Sequence, residues 1–202
     1  MRLRRALLIG LVMALAIPST ALAHDAERQD RPVRTVAAVI QEWNLDGTSS
    51  ETTPTLGASR LTRRADGLES EVRMRGLMPG GVYTFWWVVV QRDGTFPDDI
   101  FVALGGSVIV SRSGRVVEQM RAELGQESIT GFSPDGVNEI VFAQLHDPLD
   151  STVRIEIAYH GQAADAGDDL AVWLSDFWTG SACPGPIGSQ PHCPVFYAAT
   201  HG

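Results

Sequence analysis

The sequence predicts an all-β protein, an antiparallel β-sandwich, with a β-barrel as the alternative. Two observations predict this fold. Apolar and polar residues alternate in several segments after residue 55, and turns containing Gly or Pro separate these segments at intervals of roughly 8–15 residues. No segment shows a sustained helical period with caps at both ends, and no internal repeat is present. With 202 residues, of which 44% are apolar and 20% charged, the chain has the composition of one globular domain.

The first 23 residues have the pattern of an export signal. Three arginines among the first five residues precede an apolar run over 6–17, and Ala21–Ala23 supplies the small-x-small pattern of a cleavage site. The apolar run is shorter than the roughly 20 residues that a membrane-spanning helix needs. We therefore expect a signal peptide over 1–23 and a secreted or periplasmic mature chain with no membrane span. The general secretory route is favoured over the twin-arginine route.

The charge of the chain argues against a nucleic-acid partner. All 16 basic residues are arginine, against 24 acidic residues, for a net charge of −8. Loss of the three signal-peptide arginines leaves 13 basic against 24 acidic residues, a net charge of −11. Since the sequence also has no local basic stripe, a nucleic-acid-binding surface is not expected.

The segment over 24–54 is predicted to be a flexible leader with a possible first strand. Residues 24–32 are polar and without periodicity. Residues 33–43 are apolar enough for a strand or a short helix, and the pattern does not decide between them. A loop rich in Ser and Thr follows over 48–54. The β-sandwich domain is predicted over 55–202.

The first part of the sandwich domain contains two well-defined strand predictions. From residue 68 to residue 75, apolar or small residues alternate with Glu and Arg, which indicates a strand with one buried face. The Ala65-Asp66-Gly67 segment before it is a hairpin signal. Residues 82–90 are apolar nearly throughout, as in a strand covered on both faces at the centre of a sheet.

The later part of the domain continues the strand pattern. Further strands are predicted over residues 107–110, 116–124, 139–145, 153–159 and 195–200. The first two of these flank Ser111–Gly114, which predicts a second hairpin. Within 153–159, the alternate residues Val153, Ile155, Ile157 and Tyr159 share one face. Residues 170–178 are apolar without a readable period.

Cys183 and Cys193 are separated by a segment rich in Pro and Gly. In an oxidising compartment, this arrangement predicts a disulfide that closes the loop. By the chain-entropy estimate, such a bridge contributes about 2–3 kcal/mol. The alternative is a metal site that uses both thiols and His192, although zinc sites usually show closer cysteine spacing.

Four stretches resemble a family of exported bacterial and haloarchaeal proteins of unassigned function. They contain a Leu-x-Pro-Gly turn, a Trp-Trp strand, a His-Gly pair and a terminal Cys…Ala-x-His, and they lie at 76–89, 105–110, 155–163 and 193–201. The resemblance covers roughly residues 55–202. It implies a secreted β domain and no particular reaction. Family members often carry cysteines in the loop after the Trp-Trp strand, whereas residues 92–99 contain none.

No common catalytic signature occurs in the chain. The sequence lacks the Gly-x-Ser-x-Gly elbow, the His-Glu-x-x-His motif and a phosphate-binding Gly-rich loop. The pattern therefore favours a non-enzymatic binding or structural module. The sequence requires no cofactor, and it leaves the cofactor, the ligand, the partner and any catalytic residue open. The alternative is a small copper- or zinc-binding metalloprotein or metal-dependent enzyme that uses histidines at strand ends.

His160, His201 and His146 are the candidate metal ligands. His160 follows a predicted strand and should lie at its rim, on the face opposite Tyr159, and His201 follows the closing strand. If these two strands run in the same sense, both imidazoles emerge at one end of the domain. We predict that His160 and His201 lie near each other there, where copper or zinc could bind. The more common alternative is that the histidines are solvated residues at strand ends and in loops.

Overall fold

The computed structural model describes residues 34–43, 55–91, 98–132, 139–175 and 196–202. These residues form the strands β1 (Arg34–Trp43), β2 (Gly57–Arg64), β3 (Gly67–Met74), β4 (Gly81–Val90), β5 (Ile100–Ile109), β6 (Val116–Glu123), β7 (Thr130–Phe132), β8 (Glu139–Val141), β9 (Thr152–Gln162) and β10 (Phe196–His201). A short helical segment follows β9 and consists of α1 (Ala163–Ala166), a 3-10 turn (Gly167–Asp169) and α2 (Leu170–Trp173). None of the helices in these ranges has the length and apolar character needed to cross a bilayer.

Eight of the strands form one antiparallel sheet in the order β5-β4-β9-β10-β1-β2-β3-β6, and β7 pairs with β8 separately. The long strand β1 belongs to both halves of this sheet. Its residues 34–40 pair with β2, and its residues 41–43 pair with β10. The sheet is thereby divided into two layers, β5-β4-β9-β10 and β2-β3-β6, joined through β1.

The two layers pack face to face around one apolar core. Inward-facing residues of both layers belong to the same buried cluster, among them Leu61, Leu68, Val72, Met120, Phe85, Trp87, Ile155 and Ile157. Burial alternates along β3, as the sequence pattern predicts, and Val153 also lies in this core with Tyr159 packed against it. The predicted all-β antiparallel sandwich is confirmed.

Strand β4 is covered on both faces, which explains why its sequence is apolar nearly throughout. Trp87 is fully buried in the core between the layers. Trp86 lies on the opposite face of the sheet, where it packs with Ala158 and the partly buried Ile129. The strand pairs with β5 on one side and β9 on the other, so it is an internal strand next to the edge strand β5.

Two segments that the pattern left undecided have a defined structure. Residues 34–43 form the strand β1, which places a strand of the sandwich upstream of the predicted boundary at residue 55. The apolar residues at the start of 170–178 belong to α2, whose Trp173 packs with Ala166 over Val82 of β4. A single helical turn is too short to show a readable period in sequence.

The predicted hairpin at Ser111–Gly114 is wrong as a strand pairing. The turn is present, but β5 pairs with β4 and β6 pairs with β3, so the two strands lie in different layers. The segment is held by the preceding turn instead, because Val110 N donates to Gly81 O at 2.9 Å and Leu77 N donates to Gly114 O at 3.1 Å. These bonds satisfy backbone groups that a hairpin ladder would otherwise satisfy.

Strands β5 and β6 meet along a seam without a hydrogen-bonded ladder. Gly105 and Gly106 lie on the β5 side, directly against the side chains of Met120 and Glu118 on β6. A Cβ atom at either glycine would overlap these side chains. The absence of a side chain on β5 therefore lets the two layers approach each other at this position.

Candidate functional site

A groove of about 520 Å³ lies on the outer face of the β2-β3-β6 layer. Its volume falls within the range of small-molecule sites, but its lining is polar where such sites are mostly apolar. The outward-facing side chains that line it are Arg60, Thr62, Glu69, Glu71, Gln119 and Arg121. Each is exposed or half-buried, whereas their neighbours along the strands point into the core.

Strand register brings these side chains together. Glu71 of β3 lies opposite Arg60 of β2 and Gln119 of β6, which forms one row across the layer. The neighbouring row has Glu69 at its centre, between Thr62 of β2 and Arg121 of β6 (as the same two ladders show). Directly opposed residues on one face are close enough for their side chains to interact.

Most charges around the groove are paired along their own strand or across a hairpin. Arg73 Nε donates to Glu71 Oε1 at 2.6 Å, and Arg64 Nε lies 3.4 Å from Glu69 Oε2. The hydrogen bond from Arg73 lowers the pKa of Glu71, and the charges of Arg73 and Arg60 lower it further. The lowered pKa keeps the Glu71 carboxylate ionised at neutral pH.

Arg60 and Gln119 differ from these paired residues. Within the part of the chain that the structure describes, neither side chain has a hydrogen bond or a contact ion pair. The influence of Arg60 on Glu71 is through charge alone. Among the described residues, the groove thus presents a guanidinium and an amide without a hydrogen-bond partner, together with two carboxylates that are already paired.

His160 is buried, and it does not lie at the rim of the sandwich. It is the extra residue of a β-bulge in β9, where the register with β4 shifts between Val82 and Tyr83. Its side chain is fully buried, and its Nε2 lies 2.7 Å from Thr84 Oγ1, which also accepts a hydrogen bond from Trp86 Nε1 at 2.8 Å. The predicted face, opposite Tyr159, is the face where the imidazole lies.

His201 is the last residue of β10 and points into the core. Its Nε2 lies 3.0 Å from Ser59 Oγ, which in turn is 2.9 Å from Ser70 Oγ. Its Nδ1 is buried and has no hydrogen-bond partner among the described residues. Burial and the charge of Arg63 lower the pKa of His201 to about 4, although a contact with the Val36 carbonyl acts in the opposite direction. The imidazole is neutral at neutral pH.

The prediction that His160 and His201 lie near each other is wrong. Strands β9 and β10 are antiparallel, and His201 lies opposite Val153, seven residues from His160 along β9. At about 3.4 Å per residue, the two positions are roughly 24 Å apart along the strand. They also lie on opposite faces of the sheet. One metal ion cannot bind both, because each metal–nitrogen bond is only about 2 Å long.

His146, the third candidate ligand, is the exposed one. It lies after β8, with its backbone N–H donating to Gln91 Oε1 at 2.6 Å and its Nδ1 3.2 Å from Gln144 O. In the described ranges, no three side chains of His, Cys, Asp or Glu are grouped so that they could hold a metal ion. The description of solvated histidines therefore fits His146, whereas His160 and His201 are buried.

Several predicted features lie outside the described residues. These are the signal peptide over 1–23, the leader over 24–32, and the loop with Cys183, His192 and Cys193. The disulfide and the alternative thiol–imidazole site therefore remain predictions.

The groove was not among the candidate sites that the sequence indicated. Alternation along 68–75 shows that Glu69 and Glu71 face solvent, and the same period is readable in Arg60 and Thr62 and in Gln119 and Arg121. Which of these residues become neighbours depends on the pairing of β3 with β2 and β6. That pairing, and in particular the position of β6, is not encoded in any local pattern.

Comparisons with known proteins do not assign the chain to a family. No family model matches it, and no curated protein matches it. Among solved structures, it is similar to a Cu/Zn superoxide dismutase from Brucella abortus, with 14% sequence identity and a TM-score of 0.34. The match covers 82% of this chain and 98% of the dismutase chain. A likeness at this level does not bear on function.

Proposed function

We propose that the protein is an exported, non-enzymatic binding module that uses the β2-β3-β6 groove to hold a small polar ligand carrying a carboxylate. The observation that carries this proposal is that the Arg60 guanidinium and the Gln119 amide, on either side of Glu71, make no side-chain hydrogen bond to another described residue. Export is supported by the sequence pattern of residues 1–23.

The chemistry of Arg60 selects the ligand class. A guanidinium presents its N–H groups in a planar fork that matches a carboxylate, and such a pair is stronger than one between neutral groups. The amide of Gln119, two strands away in the same row, can donate or accept a further hydrogen bond. A ligand that places a carboxylate at Arg60 and a hydroxyl or amide group near Gln119 would bind to both side chains.

The surrounding charges restrict the ligand further. Glu69 and Glu71 line the groove, and the mature chain has an expected net charge of −11, so a polyanion would be repelled. A ligand with one carboxylate and one ammonium group can place the carboxylate at Arg60 and the ammonium group near Glu69 or Glu71. We therefore expect zwitterions to bind better than simple anions.

The lining residues offer binding groups and no evident catalytic unit. None of the six outward-facing residues is a histidine, a cysteine or a serine. The Thr62 hydroxyl lies 3.3 Å from that of Thr35, and the carboxylate opposite it, that of Glu69, is paired with Arg64. Nucleophilic catalysis needs a base within hydrogen-bond reach of the nucleophile. This composition supports binding without turnover.

The proposal is tested by titrating the mature chain with diglycine, acetate and glycinamide while backbone amide resonances are followed by NMR. Diglycine should perturb amides of β2, β3 and β6, acetate should do so more weakly, and glycinamide least. Arg60→Ala should weaken diglycine binding by about tenfold or more, since a hydrogen bond to a charged group contributes about 1.5–3 kcal/mol.

Arg115→Ala is the matched control, because it removes an equal charge from an exposed turn residue outside the groove. It should leave diglycine binding nearly unchanged. Equal losses in the two variants would show that net charge alone acts. Perturbations away from the groove, or none with any of the three probes at millimolar concentration, would contradict the proposal.

A further inference from the structure

Met78 is the exposed methionine of the described residues. It lies in the turn between β3 and β4, where Gly81 N donates to Met78 O at 3.0 Å and Gly80 has a φ of 78°. Half of its side chain is accessible to solvent, whereas Met74 and Met120 are 4% and 2% exposed. Reagents in solution can therefore reach the Met78 residue and are largely excluded from Met74 and Met120.

Two tyrosines fix the position of this methionine. Tyr159 donates its hydroxyl hydrogen to Met78 Sδ at 3.2 Å, and the Met78 backbone N–H donates to the Tyr83 hydroxyl at 3.3 Å. The rings of Tyr83 and Tyr159 pack together with centroids 4.9 Å apart. Gln162 Nε2 donates to the Tyr159 hydroxyl at 3.5 Å, which helps to orient it.

The contact makes the two lone pairs of the thioether sulfur inequivalent. One lone pair accepts the hydrogen bond from Tyr159 and is covered by the tyrosine, while no second hydrogen bond to the sulfur is present among the described residues. Oxidation at one or the other lone pair gives opposite epimers of methionine sulfoxide. In a free methionine in water, neither lone pair is covered by a neighbouring side chain.

We propose that Met78 is an oxidation site of this protein, at which a hydroperoxide adds oxygen to the sulfur lone pair that does not accept the Tyr159 hydrogen bond and yields mainly one sulfoxide epimer. The sulfur lone pair attacks one peroxide oxygen, an S–O bond forms, and the O–O bond breaks. Sulfur loses two electrons to the peroxide. With hydrogen peroxide, the displaced oxygen leaves as water after proton transfer, so the products are the sulfoxide and one water molecule.

The first measurement is the site of oxidation. The mature chain is treated with limiting hydrogen peroxide, digested, and analysed by mass spectrometry for peptides that gain one oxygen. Met78 should be oxidised at least about tenfold faster than Met74 and Met120, because methionine oxidation follows exposure. Comparable rates at the three residues in the folded protein would overturn the proposal.

The second measurement is the epimer ratio at Met78. Two methionine sulfoxide reductases, each specific for one epimer, are applied separately to the oxidised protein. One of them should remove most of the sulfoxide in the wild type, whereas oxidised N-acetylmethionine should be divided about equally between the two reductases. An equal division in the wild-type protein would also overturn the proposal, and this test needs no variant.

Tyr159→Phe identifies the cause of the bias. This variant keeps the aromatic ring against Tyr83 but removes the hydroxyl that contacts the sulfur. The epimer ratio should move towards equality. Tyr83→Phe is the control, because the Tyr83 hydroxyl bonds to the backbone and leaves the sulfur untouched. A bias that survives Tyr159→Phe, or one that disappears equally in Tyr83→Phe, would contradict the role of the Tyr159 contact.

Discussion

At the scale of single residues, the core holds polar side chains that use one another as partners. Arg63 is 1% exposed and donates to Pro148 O, to Ser151 Oγ and to His201 O. These bonds join β2 to the segment before β9 and to the end of β10. Burial of polar groups is costly unless they are hydrogen-bonded, so this cluster depends on its members remaining in place.

The protonation of His201 should make stability depend on pH. The folded-state pKa is about 4, below the ordinary value of 6.5, so the unfolded chain binds the proton first as the pH falls. The stabilisation is complete above pH 6.5 and is lost as the pH falls from 6.5 to about 4. Across this pH range, protonation of His201 should lower the free energy of unfolding by about 3 kcal/mol.

Denaturant unfolding of the wild type and of His201→Gln at pH 7 and pH 4 measures this loss. Glutamine does not titrate and can still bond to Ser59, so the variant should lose less stability on acidification by about that amount. Carboxylates titrate alike in both proteins and cancel in the comparison. Parallel pH profiles would show that His201 does not titrate as described.

At the scale of elements, the seam between β5 and β6 determines how the layers meet. The two strands are consecutive in the chain but lie in different layers, and glycines on β5 lie against side chains of β6. Met120 is buried at this position, so its side chain has little room to move. Close packing of this kind makes added volume costly.

Gly105→Ala should therefore destabilise the fold by about 1–3 kcal/mol, the usual cost of overpacking. The new methyl group would overlap the Met120 side chain. Met120→Ala leaves a cavity and is destabilising alone, but the double variant should be more stable than the sum of the single effects predicts. Urea unfolding of the four proteins measures the coupling.

Strict additivity in this cycle would contradict the packing of Gly105 against Met120. Gly125→Ala is a reference for backbone effects, because Gly125 has a φ of 81° and no atom within 4 Å of an added Cβ. Its cost should not change when Met120 is replaced.

At the scale of the whole molecule, the proposed export and the predicted disulfide belong together. Disulfides form and persist in oxidising compartments and are rare in the cytosol. The chain has two cysteines, Cys183 and Cys193, and both remain in a mature chain that begins at His24. The compartment therefore decides the state of both thiols.

Exported protein should have His24 as its first residue and no free thiol. N-terminal sequencing checks the first statement, and thiol titration of the unfolded, unreduced protein checks the second. The same chain produced in the cytosol without residues 1–23 is the control and should show two reactive thiols before oxidation. A first residue well inside the chain, or two free thiols in exported material, would contradict the prediction.

The sequence by itself determined the fold class and the faces of the clearest strands. Alternation is a local property with a period of two residues, so the buried face of β3, the shared face of Val153, Ile155 and Ile157, and the tight turn before Gly67 are readable from neighbouring residues. The two-sided burial of β4 is readable in the same way, from a run that is apolar nearly throughout.

Only the tertiary structure decided which strands are neighbours, because pairing joins residues far apart in sequence and leaves no local pattern. The turn at Ser111–Gly114 has hairpin residues, yet its strands enter different layers. The antiparallel pairing of β9 with β10 separates His160 from His201, and the pairing of β3 with β2 and β6 assembles the groove around Arg60. The individual residues were visible in the sequence, but their proximity depends on strand order and register.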